Sequence, residues 1–214
     1  MTCENDWNVD WDLDIEAGAR KVLTINGVNF AFRYCPPGTT APVPREEPTT
    51  INRGFWLLET PVTQGMWRAT MGTNPSEFQA GDNFPVENVN LYDCQEFVER
   101  LNSKNAAPKG FLFRLPQADE WEYAWKAGEP YGPRGRYTAR PVEVGQIGAN
   151  AWGLLDMRGN VFEWSCEGDF QYALLGGGGR GVKLSVDPTK REAYDPFAME
   201  TCYFGLRLVL SRKS

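Results

Sequence analysis

The most chemically loaded stretch of the chain is Asp156-Met157-Arg158-Gly159-Asn160-Val161-Phe162-Glu163. Two carboxylates flank a glycine-containing turn, a layout that can aim carboxylates and backbone carbonyls at one point. Calcium takes about six to eight oxygens of these kinds at about 2.3–2.6 Å. The same residues also suit a turn held by Asp156 capping, with Glu163 in a salt bridge. The residues alone leave both readings open.

The other reactive side chains narrow the chemistry. Cys3, Cys35, Cys94, Cys166 and Cys202 are odd in number, widely spaced and never in a CxxC pair. Free, mostly buried thiols are expected rather than a disulfide framework or a zinc site. The chain has no His, which removes a Ser-His-Asp triad, a Cys-His pair and any His-rich metal centre. Its net charge is −6 with scattered Lys and Arg, so nucleic acid is not an expected partner. No apolar run approaches the roughly 18 residues of a membrane span. The acidic beginning MTCENDWNVDWDLD lacks the basic and apolar regions of a signal peptide. The compartment stays open, with the cytoplasm as default and a cell or phage surface compatible.

Around these residues the chain supplies a positioning frame. At 214 residues one domain is the expectation: residues 1–20 as a polar arm with Trp7 and Trp11 as candidate anchors, and 21–214 as a single domain. In KVLTINGVNFAFRY, Asn26-Gly27 joins two short strands, since both turn residues favour positive φ. A strand at Gly54–Leu58 follows a Pro-rich loop. A first helix is expected over Thr63–Met71, with Thr63 as N-cap. The second is capped by Asn90 and lines up Cys94, Phe97, Val98 and Leu101 on one face. The third runs from after Pro116 to before Gly128, with Trp121, Ala124 and Trp125 on one face. Arg114 and Glu122 are candidates to pair across an aromatic interior, and Trp67, Trp121, Trp152 and Trp164 are expected core rings. The second half is expected to be Gly-rich and strand-poor, with YFGLRLVL as one buried terminal strand. This pattern fits α+β rather than any parallel βαβ scheme.

Five stretches resemble the formylglycine-generating-enzyme (sulfatase-modifying factor) family: GFWLLETPVTQGMWRATMG, NFPVENVNLYDCQEFVERLN, FRLPQADEWEYAWKAG, GANAWGLLDMRGNVFEW and GLRLVL. They keep the family's order and spacing over most of residues 28–210. The resemblance implies a C-type-lectin-like fold with few helices, short antiparallel strands and much irregular loop. It also implies calcium in the octet, with the side chains of Asp156 and Glu163 and the carbonyls of Gly159 and Val161 as ligands. The family's second calcium site has no clear counterpart in the short loop Tyr131–Ile147.

The chain departs from the enzyme where the resemblance places copper(I). Formylglycine-generating enzymes hold that ion with two cysteines shortly after a glycine-rich motif, a soft pair suited to it. Here Gly176–Gly179 is followed by RGVKLSVDPTKREAYDP, without a cysteine. Copper is therefore not expected, and the absence of His excludes the related iron-dependent sulfoxide synthases. Arg191, Pro196, Gly205 and Arg207 keep the family frame. Between them, polar and aromatic residues follow neither period 2 nor period 3.6: Ser165, Glu167, Asp169, Phe170, Tyr172, Lys183, Tyr194, Phe197, Met199 and Tyr203. Such a mixture suits a recognition surface within a segment of about 153–210. The combination resembles the variable proteins of diversity-generating retroelements. It implies a non-catalytic protein binding a protein or other surface ligand. A copper-dependent oxidase and a structural module of a phage or cell-surface assembly are the alternatives.

Overall fold

The computed structural model describes residues 15–41, 48–136, 138–167, 171–176, 184–185, 192–195 and 200–213. Strands β1 (Arg20–Ile25) and β2 (Val28–Cys35) form the hairpin expected from Asn26-Gly27, with Ile25 opposite Val28. Asn26 and Gly27 have φ of 50° and 80°, the left-handed pair that matches the twist of the flanking strands. β3 (Gly38–Thr39) and β4 (Thr50–Ile51) pair as a small ribbon. β5 (Phe55–Leu58) is buried at every position, as an apolar run between two neighbours must be.

Helix α1 (Gln64–Met71) starts where Thr63 Oγ1 accepts the Met66 amide at 3.2 Å and stops at Gly72, φ 81°. Helix α2 (Leu91–Ser103) has a full capping box: Asn90 accepts the Asp93 amide, and Asp93 accepts that of Asn90. Its buried face is Leu91, Cys94, Phe97 and Leu101, with Val98 half-buried. Phe97 stacks on Trp67 of α1 with centroids 4.9 Å apart. β6 (Phe111–Arg114) leads into α3 (Ala118–Lys126), which buries Tyr123 as well as Trp121 and Ala124, while Trp125 is only half-buried. Arg114 pairs with Glu120, both contacts at 2.6 Å, and not with Glu122 as expected. Glu120 is also drawn to the helix start, where it accepts the Gln117 amide.

The second half is richer in strands than its glycines suggest. β7 (Phe162–Glu167), β8 (Gln171–Gly176), β9 (Leu184–Ser185), β10 (Glu192–Asp195) and β11 (Glu200–Leu206) form a sheet of order β10-β11-β7-β8-β9. YFGLRLVL is not one strand. It breaks at Arg207-Leu208, and β12 (Val209–Arg212) crosses to the first sheet, of order β1-β2-β5-β12-β6. Cross-strand backbone pairing, invisible to a periodicity count, overrides the irregular side-chain pattern. β5 shows why the first sheet is apolar on both sides. Trp56 and Leu58 face a core that includes Phe30, Phe97 and Trp164, while Phe55 and Leu57 face a second that includes Trp121, Trp152 and Leu175. Each such side chain, fully buried, contributes about 1.5–3 kcal/mol. The four Trp expected in the core are all there. Among the described residues, no helix is long and apolar enough to cross a membrane.

Candidate ligand-binding face and its buried support

β7 and β11 are parallel neighbours, with Gly205 opposite Glu163 and Phe204 opposite Phe162. Position 205 favours glycine, because a Cβ there would stand 2.5 Å from the Val86 carbonyl oxygen and force the backbone to shift. Behind this junction lies an ion pair with no solvent exposure on either side chain. Arg207 Nε and Nη2 donate to Glu163 Oε2 and Oε1, both at 2.9 Å, and Trp121 Nε1 donates to Oε2 at 2.6 Å. The remaining Arg207 donors reach the carbonyls of Leu58, Glu59 and Leu155 at 2.8–3.0 Å. One guanidinium thus ties β7, the end of β5 and the loop before the octet's turn to the break between β11 and β12. Buried charge persists when it is paired and its remaining protons are bonded, and both conditions hold. A second carboxylate, Glu59, joins Arg33 at 2.5 Å and Arg20 at 3.0 Å nearby.

Asp156 works on another loop. It is 1% exposed, sits at φ 54°, and accepts the amides of Gly145 at 2.6 Å and Ile147 at 2.9 Å. Asn160 exchanges two hydrogen bonds with the backbone of Val142 and donates to Asp156. The octet is therefore a staple that holds loop 142–147 from one side and Arg207 from the other. Gly159 (φ 116°) runs against the Arg136 carbonyl, and the Val161 carbonyl lies beside Gly176. These contacts decide the fit for calcium. The two carboxylates are aimed apart, one at backbone amides and one at a guanidinium, and a cation at Glu163 would meet the charge that already neutralises it. The octet's donor set fits the salt-bridged turn and does not fit calcium shared by Asp156 and Glu163. Among the described residues, no group of three or more His, Cys, Asp or Glu is placed to hold a metal.

Of the expected recognition residues, those whose side chains are described do not lie together. Ser165 is a correction: it is fully buried, because β7 is covered on both faces from Phe162 to Ser165, and its hydroxyl has no hydrogen-bond partner among the described residues. Glu167 and Tyr172 are half-buried at the β7–β8 turn. Tyr172 packs on the first core and takes a hydrogen bond from Gln95 of α2 at 3.4 Å, which makes it part of the support. Tyr203, half-buried, lies just beyond the Phe162 row at the other end of the sheet. The two ends are about five residues apart, roughly 17 Å of strand. Tyr194 belongs to β10, whose residue Glu192 pairs with Tyr203. Asp169, Phe170, Lys183, Phe197 and Met199 lie outside the described residues, as do frame residues Arg191 and Pro196.

Cys35, Cys94 and Cys166 are poorly set for chemistry. Cys35 and Cys94 are buried, and Cys166 is half-buried. Burial raises the Cys166 thiol above its usual value; Arg114 opposes this and Glu120 adds to it. Cys3 lies outside the described residues, and Cys202 is in β11. Sequence reasoning missed Arg207 as the partner of Glu163 and Trp121 as its third contact. A signal existed: each charge is isolated in an apolar run, VFEW and GLRLVL, where an unpaired charge would be prohibitively costly.

Two packed cores, a strand pair locked by a buried Glu–Arg bridge and a C-terminal strand returned to the N-terminal sheet define a C-type-lectin-like domain of the formylglycine-generating-enzyme type. The family described as "Sulfatase-modifying factor enzyme 1-like domain" matches residues 15–140, more than half of the chain, and the chain belongs to that family. Among curated relatives, the chain is 27% identical over 176 residues to "Chaperone protein LppX" of Paenibacillus barcinonensis; the match takes in 53% of this chain and 62% of that protein, so it spans less than two thirds of its length. Among solved structures, Treponema denticola variable protein 1 shares the fold with a TM-score of 0.65 and 22% identity, over 91% of this chain and 99% of that one. PvdO from Pseudomonas aeruginosa shares it with a TM-score of 0.67 and 17% identity, over 92% and 99%. CarF does so with 0.62 and 18%, over 86% and 99%.

Proposed function

We propose that the protein is a non-catalytic binder that displays a diversified C-terminal recognition surface on this scaffold, as variable proteins of diversity-generating retroelements do. The observation that carries this reading is the division of labour at β7 and β11. The strands are pinned by a fully buried, bonded ion pair, and the chain between Gly176 and Tyr203 carries Lys183, Tyr194, Phe197 and Met199 with no periodic core pattern. A frame that is fixed independently of that segment tolerates its replacement. Likeness in fold to a protein titled a variable protein agrees with this, and so does the lack of a cysteine in residues 180–196. The ligand-contacting face is assigned to the Tyr203 end of the sheet, because Tyr172 is committed to packing. Rigid aromatic groups would supply most of the affinity there.

The test is sequencing of the gene's 3′ end from a population, together with a search nearby for a reverse transcriptase and a near-identical template copy. Substitutions at adenines, confined to codons between Glu167 and Tyr203, are expected. An even spread that includes Glu163, Gly205 and Arg207 would overturn the reading. For the oxidase alternative, turnover of a sulfatase-derived peptide with copper(I), lost on Cys166→Ser or Cys202→Ser, would replace it.

A further inference from the structure

Away from the recognition residues, one end of the first sheet opens into a cleft of about 670 Å³, within the size range of ligand pockets. β2 and β12 end there and β5 and β6 begin there, so Tyr34, Phe55 and Phe111 line it beside Trp56. Tyr34 lies across Gly54, where any Cβ would strike its ring. The rim carries Arg53, Arg212 and Lys213, all exposed. Arg114 is also present, but its charge is neutralised by Glu120. Arg53 and Lys213 have no salt bridge among the described residues. The cleft is thus a cationic spot over an apolar floor on a chain of net charge −6.

The described chain begins at this same place, since Ile15 lines the cleft. The fourteen residues before it contain Glu4, Asp6, Asp10, Asp12 and Asp14, no Lys or Arg, and Trp7 and Trp11. At about 3.3–3.6 Å per extended residue, a tether starting at Ile15 is long enough for Trp11, Asp12 and Asp14 to reach the rim. Tethering also gives such a segment an effective concentration on the order of millimolar. Charge, aromatic content and attachment point therefore agree. We propose that the cleft is a docking site for an acidic, tryptophan-bearing peptide, and that residues 1–14 of this chain are its occupant, with carboxylates on Arg53 and Lys213 and an indole toward the Tyr34–Trp56 floor.

The experiment is fluorine NMR of the full chain labelled with 5-fluorotryptophan, with signals assigned by Trp7→Phe and Trp11→Phe, and a synthetic peptide of residues 1–14 as the free reference. At low salt, at least one of the two signals is displaced from its free-peptide position. Arg53→Glu with Lys213→Glu returns it, and so does salt of about 1 M, where the screening length falls to about 3 Å. Both substituted residues are exposed, and unchanged signals of the core rings Trp67, Trp121, Trp152 and Trp164 verify that the double variant folds. Signals already at the free-peptide position overturn the proposal. So does a displacement that survives charge reversal, which puts the segment elsewhere. A displacement that grows with protein concentration overturns it in favour of a second copy as partner.

Discussion

Replacing Glu163 with Gln removes one charge from a pair with no solvent exposure while keeping the side chain's size. Deleting one partner of a buried pair costs about 3–5 kcal/mol, because the other charge is left uncompensated. Gln still offers an oxygen to Trp121 Nε1, so the lower end, about 3 kcal/mol, is expected. For a chain of this size each kcal/mol moves the melting temperature by about 2–4 °C, which gives a fall of about 6–12 °C. Arg207→Met should cost more, about 5 kcal/mol or above. It strands Glu163 and also takes the donors from the carbonyls of Leu58, Glu59 and Leu155, each at about 1–3 kcal/mol when left unsatisfied. The double variant, Glu163→Gln with Arg207→Met, should fall short of the sum of the singles, since the charge conflict is counted once. It should not return to wild type, because the three carbonyls stay orphaned. Thermal unfolding followed by circular dichroism reads all four proteins. A fall of less than about 2 °C for Glu163→Gln, or a double variant as stable as wild type, would refute the reasoning.

Asp156→Ala is expected to cost about 1–3 kcal/mol through the amides it leaves without an acceptor, with faster hydrogen exchange at Gly145 and Ile147 as the local sign. Calcium or a chelator should leave the unfolding midpoint of the wild-type protein in place; a rise with calcium would show an ion bound by the native state alone and would overturn the fit derived from the octet. Gly205→Ala forces a Cβ to 2.5 Å from a backbone oxygen and should cost about 1–3 kcal/mol as overpacking, measured by urea denaturation. Burial pushes the Cys35 thiol well above 9.0; Glu120 adds to the rise, and Arg207 and the Leu57 backbone oppose it. A folded value above the unfolded one means that stability is full below pH 9 and declines as the pH rises past it. Cys35→Ala should flatten that decline in midpoint-against-pH curves, and an unchanged slope would contradict it.

Local chemistry was legible in the sequence, and pairing across the sheets was not. Asn26-Gly27, Thr63 and Asn90 act through the nearest few residues, so their types announced the turn and the two helix starts. Arg114 shows the limit: the pattern indicated a pairing carboxylate near α3, but the choice of Glu120 over Glu122 depends on which one the Gln117 amide holds in place. Ser165 looked like a surface residue because it follows Trp164 in a polar-aromatic mixture. Only the layers packed on both faces of β7 over Phe162–Ser165 reveal that this stretch has no wet side. The break at Arg207-Leu208 was equally hidden, since GLRLVL is evenly apolar on either side of the arginine and the two halves differ in partner rather than in composition. The salt-bridged alternative for the octet could be written down from residue types, but identifying its cation required a residue 44 positions away.

Gly176 and Phe204 stand in the same row, on opposite sides of Phe162. The ends of the intervening chain are therefore held two strand spacings apart, about 10 Å, by pairing that does not involve the residues between them. For the stretches that join β9 and β10 to their neighbours within this excursion, the entropic cost of closure grows only with the logarithm of length, and doubling one adds about 0.6 kcal/mol. That is small beside the roughly 3 kcal/mol riding on the Glu163 charge alone. Natural relatives should thus differ in the length of these joining stretches as freely as in their letters, with insertions and deletions gathered between β8 and β11 but outside β9 and β10.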